Sequence, residues 1–286
     1  MLQKILPIGF TYHETQCRKF EVNKIDGFME RIIHNEQLKA EKPQKWMASL
    51  LSCLLHDIEG KSVSSDFFES DGKKIPDIVR HIPLVDAGLI LVMGQIETYG
   101  PMLIGQHTQC GCRHVNIVDV DLSNMTMPDV DFTATPMDEI ATHLQTGWKR
   151  IVDTSKAGQK ELGWEKEVFD EFVFGIPTVG DALNNEKHFL ASRVLDFQVR
   201  IVNDRLKHVR SSKTGFVMPN DMFEAYKAGF MFFADRGGLF ANDRMIVRDT
   251  LNRLPQVNLA MQVTCENCQH DYNAGVNYQS FFPLVS

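Results

Sequence analysis

The sequence predicts an α+β fold that is mostly helical, with two related halves that each end in a small β element carrying a cysteine knuckle. Three observations lead there. Apolar residues recur at helical spacing through much of both halves. Four of the six cysteines come as two close pairs, Cys110-Gly-Cys112 and Cys265-Glu-Asn-Cys268. Landmarks before each pair keep register: Asp86 precedes Cys110 by 24 positions and Asp243 precedes Cys265 by 22, while Pro101 and Pro255 stand 9 and 10 positions ahead.

In chain order, Lys4-Ile-Leu-Pro-Ile-Gly9 opens the first half and Phe174-Gly-Ile-Pro-Thr-Val-Gly180 the second, each followed by a polar turn. Ile25, Phe28, Met29, Ile32 and Ile33 mark one helix, and Trp46, Leu50, Cys53 and Leu54 another. Phe189, Val194, Phe197, Ile201 and Leu206 form a longer stripe in the second half. A helix from Val85 to Tyr99 stops at Gly100-Pro101, and its counterpart from Asn242 to Leu254 stops at Pro255. Val115-Asn-Ile-Val-Asp-Val-Asp-Leu122 alternates with a period of two and reads as a strand. These elements divide the chain into residues 1–125, a connector at 126–168 and residues 169–286. Short helices are expected at Met137–Leu144 and Trp148–Val152. Asp235-Arg-Gly-Gly238 is read as the glycine cap of a Phe223–Ala234 helix. Tyr278 to Ser286 is an apolar tail suited to docking on its own domain or on a neighbour.

Composition narrows the function. The 286 residues are 43% hydrophobic and 23% charged, as in ordinary globular proteins. Thirty Lys+Arg against 37 Asp+Glu leave a net charge of -7, a poor endowment for neutralising duplex phosphates. No apolar run reaches the ~20 residues needed to span a bilayer; the longest, Ile82 to Ile96, holds Asp86, Gly88, Gly94 and Gln95. The N-terminus carries no extended apolar signal region. A soluble, unexported chain with neither nucleic-acid nor membrane partner is expected.

The cysteines carry the most chemistry. Thiols stay reduced in the cytosol, so close pairs there point to metal ligands or redox centres rather than structural disulfides. CxxC is the short turn that aims two thiolates at one tetrahedral ion; CxC has a tighter bite. Two such turns at hairpin tips supply Cys110, Cys112, Cys265 and Cys268, enough for one closed zinc site, with His107, His114 and His270 as spare ligands. Free buried cysteines are the plainer reading of either pair, and an iron–sulfur cluster fits the same ligand types.

Other candidates read as structural. Phosphate loops, dinucleotide fingerprints, HExxH and GxSxG are missing from the sequence. His56-Asp57 could hold a hydrolase metal but reads as the polar end of an apolar helix. Asp119 and Asp121 share a strand face and could bind a cation, though solvated carboxylates are commoner. Glu161 to Glu167 is a charged helix face, and Lys207-His-Val-Arg210 with Lys213 is a small basic cluster on a helix end. No acid, base and nucleophile converge, so the chain is not expected to be an enzyme.

Leu6-Pro-Ile-Gly9, Asp86 opening a helix that ends Tyr99-Gly100, the cysteine pair before Val118-Asp-Val-Asp-Leu122, and a late CxxC before Phe281-Phe282-Pro283 form a set. Together they resemble the baseplate hub proteins of T-even-like contractile-tailed bacteriophages. The first pair departs from the CxxC usual in that family. The resemblance implies a structural component or assembly factor of the tail baseplate, made in the host cytoplasm, carried in the virion and bound to other tail proteins. The competing expectations are a zinc-ribbon nucleic-acid or transcription factor and a hydrolase built on His56 and Asp57.

Overall fold

A computed structural model describes residues 3–35, 41–63, 75–143, 169–186, 201–224, 227 and 241–275. Helix and strand occupy roughly equal shares, which corrects the expectation of a mostly helical fold. The strands are short, and several sit in apolar runs that also suit a helix. Helix α2 passes directly into strand β3 at Leu54/Leu55, for example, so Leu50 to Leu55 looks like one continuous helical stripe.

Two compact units emerge: residues 1–136 with 255–286, and residues 137–254. This division differs from the three consecutive segments expected from the sequence, because the second cysteine pair is grouped with the first.

The first unit opens with the hairpin β1 (Ile5–Tyr12) and β2 (Thr15–Val22). After α1 (Gly27–Ile33) and α2 (Pro43–Leu54), β3 (Leu55–Ile58) pairs with β2, and β4 (Lys61–Ser62) pairs with β3. Proline at the start of α2 suits a position whose N–H has no intrahelical partner. A short α3 (Asp77–Arg80) precedes α4 (Leu84–Tyr99), whose residues from Asp86 to Gln95 are all buried. A helix apolar on every side belongs inside, and here Leu50, Leu54, Leu55, Leu89, Ile90 and Val92 are sealed from solvent. Gly100, at φ +85°, ends α4 and turns the chain into the hairpin β5 (Met102–Gln109) and β6 (Val115–Asp121). Hairpin β10 (Ala260–Thr264) and β11 (Asp271–Gly275) completes the unit.

In the second unit, β7 (Glu139–His143), β8 (Glu171–Gly175) and β9 (Leu206–Arg210) form an antiparallel sheet in that order. The helix expected at Met137–Leu144 is thus strand β7 over most of its length; Trp148–Val152 lies outside the described residues. Helix α5 (Val179–Asn184) starts with a reciprocal cap between Thr178 and Asp181. Phe169, Phe172, Phe174, Leu206, Val209 and Val247 make the core under the sheet. Helix α6 (Ala241–Asn252) packs on β7, with the Thr142 and Thr250 hydroxyls 2.7 Å apart in the interior.

Among the described residues, a paired β1–β2, helices, β3, helices and the hairpin β5–β6 are followed by a partly similar order of paired β7–β8, α5, β9, α6 and the hairpin β10–β11. By that order β1 corresponds to β7, whereas Phe174-Gly175 closes β8, so the Leu6-Pro7 and Phe174-Gly175 landmarks stand on strands of different position.

Leu6-Pro-Ile-Gly9 forms a bulge. Between the paired positions Ile5↔Lys19 and Phe10↔Cys17, β1 advances five residues while β2 advances two. The backbone groups freed by this excess are taken up inside the protein. Asp86, fully buried on α4, accepts the Ile8 and Gly9 N–H groups at 3.1 and 2.8 Å. Arg18 donates to the Leu6 and Pro7 carbonyls at 3.2 and 2.9 Å. Gly9 has φ +69°, and a Cβ there would stand 2.7 Å from Arg18 Cγ. Gly9→Ala therefore meets both a steric and a conformational barrier.

Burial holds the Asp86 carboxyl up to about 7, against the pull of the two amides and the Arg18 guanidinium. In the unfolded chain it titrates near 3.8. The native state therefore binds its proton more tightly, and the associated stability is full below the unfolded value, declines as pH rises toward 7, and is then constant. Urea titrations across this window should show wild-type stability falling with pH relative to Asp86→Asn; parallel curves would refute the assignment. Asp86→Ala leaves two buried amides unpaired and is expected to cost about 2–5 kcal/mol at constant pH.

Candidate metal centre

Each cysteine pair occupies the tip of a hairpin. In the first, Cys110 N–H donates to the His114 carbonyl at 3.0 Å; in the second, Cys265 N–H donates to the His270 carbonyl at 3.0 Å. Arg113 and Gln269, each directly after the second cysteine of its pair, have φ of 71° and 55°. A left-handed residue at that point turns the chain back and aims the next amide at the preceding sulfur. The His114 amide thus bonds Cys112 and the His270 amide bonds Cys268. CxC and CxxC, unlike in spacing, close in the same way.

The tips meet. The four sulfurs of Cys110, Cys112, Cys265 and Cys268 lie within 4.8 Å of one another. Cys110 Sγ is 3.6 Å from Cys268 Sγ, and Cys112 Sγ is 3.7 Å from Cys265 Sγ. Four sulfurs bound at 2.3 Å around one tetrahedral ion stand about 3.8 Å apart, so the cluster is close enough to coordinate a metal ion. Cys110 and Cys265 are buried, while Cys112 and Cys268 are exposed. Each hairpin contributes one sulfur of each kind.

Polar groups join the hairpins beside the sulfurs. Tyr272 Oη on β11 lies 2.7 Å from the Thr108 hydroxyl on β5 and accepts Asn116 Nδ2–H from β6 at 2.8 Å. Asn116, only 1% exposed, accepts the Glu266 amide at 2.9 Å. Asn267 Nδ2 donates to Cys112 Sγ at 3.8 Å. These contacts place the two cysteine turns opposite each other.

The electrostatics favour a cation. Burial opposes ionisation of Cys265, but the Cys268 and Asn267 amides, with the Cys268 and Cys112 thiols, bring it below the ordinary thiol range. The His270 amide favours the Cys268 thiolate, yet the crowded Cys112 and Cys110 sulfurs push that group up. Cys112 too is held below the ordinary thiol range, chiefly by the His114 amide, so Cys112 and Cys265 favour the thiolate while Cys268 resists it. A divalent ion held by Cys110, Cys112, Cys265 and Cys268 would relieve this repulsion and favour loss of the remaining protons.

The histidines enter through their backbones at 114 and 270, and the sulfur cluster contains no imidazole among the described residues. His107 lies in β5 opposite Ile117. His56 and Asp57 belong to β3 rather than to a helix end; His56 is exposed, and the Asp57 carboxylate accepts the Gly60 amide at 3.1 Å. Asp119 accepts the Gly105 amide at 2.9 Å, and Asp121 caps the turn at Ser123. The basic cluster sits on β9 rather than on a helix, with Lys207 paired to Asp138 and Glu139 and Arg210 paired to Glu171. Asp235–Gly238, Glu161–Glu167 and the tail from Tyr278 lie outside the described residues. Among those described, no helix is long and apolar enough to cross a membrane. Sequence reasoning missed Thr108, Asn116 and Tyr272. An Asn four positions beyond one cysteine pair and a Tyr four beyond the other were the available signal.

Tyr272→Phe removes the hydroxyl that joins β5, β6 and β11 and is expected to lower stability by about 1–3 kcal/mol. All four sulfurs remain, so metal stoichiometry should stay unchanged. Denaturant unfolding and metal titration of the same samples measure both; unaltered stability would show that this hydroxyl does not brace the hairpins. Protein-family models, curated proteins and solved structures were each compared with the chain, and none matches.

Proposed function

We propose that the chain is a structural protein in which one zinc ion, held by Cys110, Cys112, Cys265 and Cys268, clasps two distant stretches of sequence into one unit. The observation that carries this reading is the convergence of four sulfurs within 4.8 Å. Such spacing suits a single ion. In an iron–sulfur cluster, bridging sulfides separate the irons and hold the terminal thiolates farther apart. Four thiolates also fill a tetrahedral shell, leaving no position at which zinc could activate water or bind a substrate.

The ion's contribution would be cross-linking. Two-stranded hairpins are marginal alone in water, and structural zinc supplies about 10–16 kcal/mol in small domains. That is ample to hold β5–β6 against β10–β11. The accessible side of the first hairpin carries Ile104 and Ile117, 69% and 62% exposed, with Val115 beside them. Exposed apolar side chains of this kind favour a role exercised through protein contacts.

Within that reading we place the protein in a contractile-tail baseplate, as structural component or assembly factor bound to other tail proteins. The short motifs from Leu6 to Phe282 support this placement. The nucleic-acid alternative is weakened by the carboxylates that already neutralise Lys207 and Arg210.

The purified protein should contain about one zinc per chain and no thiolate-bound iron, which would be visible as colour. Chelation should lower the melting temperature, and readdition of zinc should restore it. A protein prepared without chelators that carries neither metal would rule out the clasp. Binding to individually purified tail proteins tests the baseplate assignment separately.

A further inference from the structure

The arrangement of the sulfurs points beyond a static clasp. We infer that Cys112 and Cys268 are sites of reversible oxidation, at which a hydroperoxide exchanges the metal for two disulfides joining the hairpins, Cys110–Cys268 and Cys112–Cys265. This inference rests on the thiolate-metal reading above.

Access and proximity support it. Each of the two short contacts, 3.6 and 3.7 Å, runs between hairpins and joins a buried sulfur to an exposed one. Oxidant arriving from solvent therefore meets Cys112 or Cys268 first, and a resolving sulfur already lies beside each. Forming a bond of about 2.05 Å requires each pair to close by about 1.6 Å. The Tyr272, Thr108, Asn116 and Glu266 contacts involve no sulfur, so they can keep the hairpins together while the metal leaves. Pairing within the first hairpin would instead join cysteines separated by the single residue Gly111, where Cys110 and His114 are tied by a backbone hydrogen bond.

In the chemical step, the Cys112 thiolate attacks a peroxide oxygen; an S–O bond forms, the O–O bond breaks, and hydroxide leaves and is protonated. The resulting sulfenic acid is attacked by the Cys265 thiolate. An S–S bond forms, the S–O bond breaks, and a second water is released. Cys268 and Cys110 react in the same way. For both pairs, four thiolates lose four electrons, two hydrogen peroxide molecules accept them with four protons, and four waters and the freed divalent ion result.

The test uses the full zinc-loaded chain, treated with hydrogen peroxide and followed by a chromogenic zinc chelator, thiol counting and disulfide mapping by mass spectrometry. The expected result is release of one zinc for every two peroxides, with loss of four thiols and appearance of Cys110–Cys268 and Cys112–Cys265. Dithiothreitol with added zinc should reverse it. Predominant Cys110–Cys112 and Cys265–Cys268 bonds, irreversible sulfinic acids, or zinc retained under peroxide that oxidises an unstructured thiol peptide would each overturn the inference. Cys112→Ser should still form Cys110–Cys268, which keeps the pairing testable if three thiolates bind metal poorly. Protein isolated without metal would defeat the clasp itself, while disulfide mapping of that sample would still decide the pairing.

Discussion

A unit assembled from residues 1–136 and 255–286 must secure two stretches of chain that the intervening segment separates in sequence. The join is a meeting of hairpin tips, where four sulfurs from positions more than 150 residues apart come within reach of one ion. Closing so long a loop carries an entropic cost that rises only slowly with length. A few strong interactions at one place can therefore offset it. The sulfurs and the Asn116–Tyr272 contacts are concentrated at that place.

Elsewhere in the first unit the structure solves a backbone problem. A long bulge in β1 leaves amides and carbonyls that the strand ladder cannot satisfy. Asp86 takes the amides, Arg18 takes the carbonyls, and the two charged groups face each other across the bulge. The bulge thereby ties the first strand to helix α4, which leads through Gly100 into the first cysteine hairpin. Core and sulfur cluster are thus consecutive along the chain within this unit.

An ion held by all four sulfurs would have no open coordination position, and Asp57, Asp119, Asp121, Lys207 and Arg210 are engaged in turns and strand pairs. In the first unit, Cys112 and Cys268 are exposed at the edge of the sulfur cluster, and Ile104, Val115 and Ile117 are exposed on β5–β6.

Much of the site was legible in the sequence, because cysteine spacing reports local chemistry directly. Two sulfurs one or two residues apart have few ways to be used in a reducing compartment, and a strand pattern follows the first pair. Helix α4 was equally plain, since its apolar run is long and ends at Gly100-Pro101. The balance of helix and strand was not: β3, β7 and β9 have only four or five residues, too few to separate a period of two from one of 3.6. Leu206 continues an apolar stripe across the point where the backbone becomes strand. Nor could the sequence reveal why Asp86 follows Leu6-Pro-Ile-Gly9 at such a distance, because their hydrogen bonds exist only once α4 is packed on β1. The sequence by itself determined which atoms could bind a metal. Only the tertiary structure decided that all four meet, which buried partner lies beside each exposed sulfur, and that Asn116 and Tyr272 hold them there. Those are relations between residues far apart along the chain, and they arise from packing rather than from local propensity.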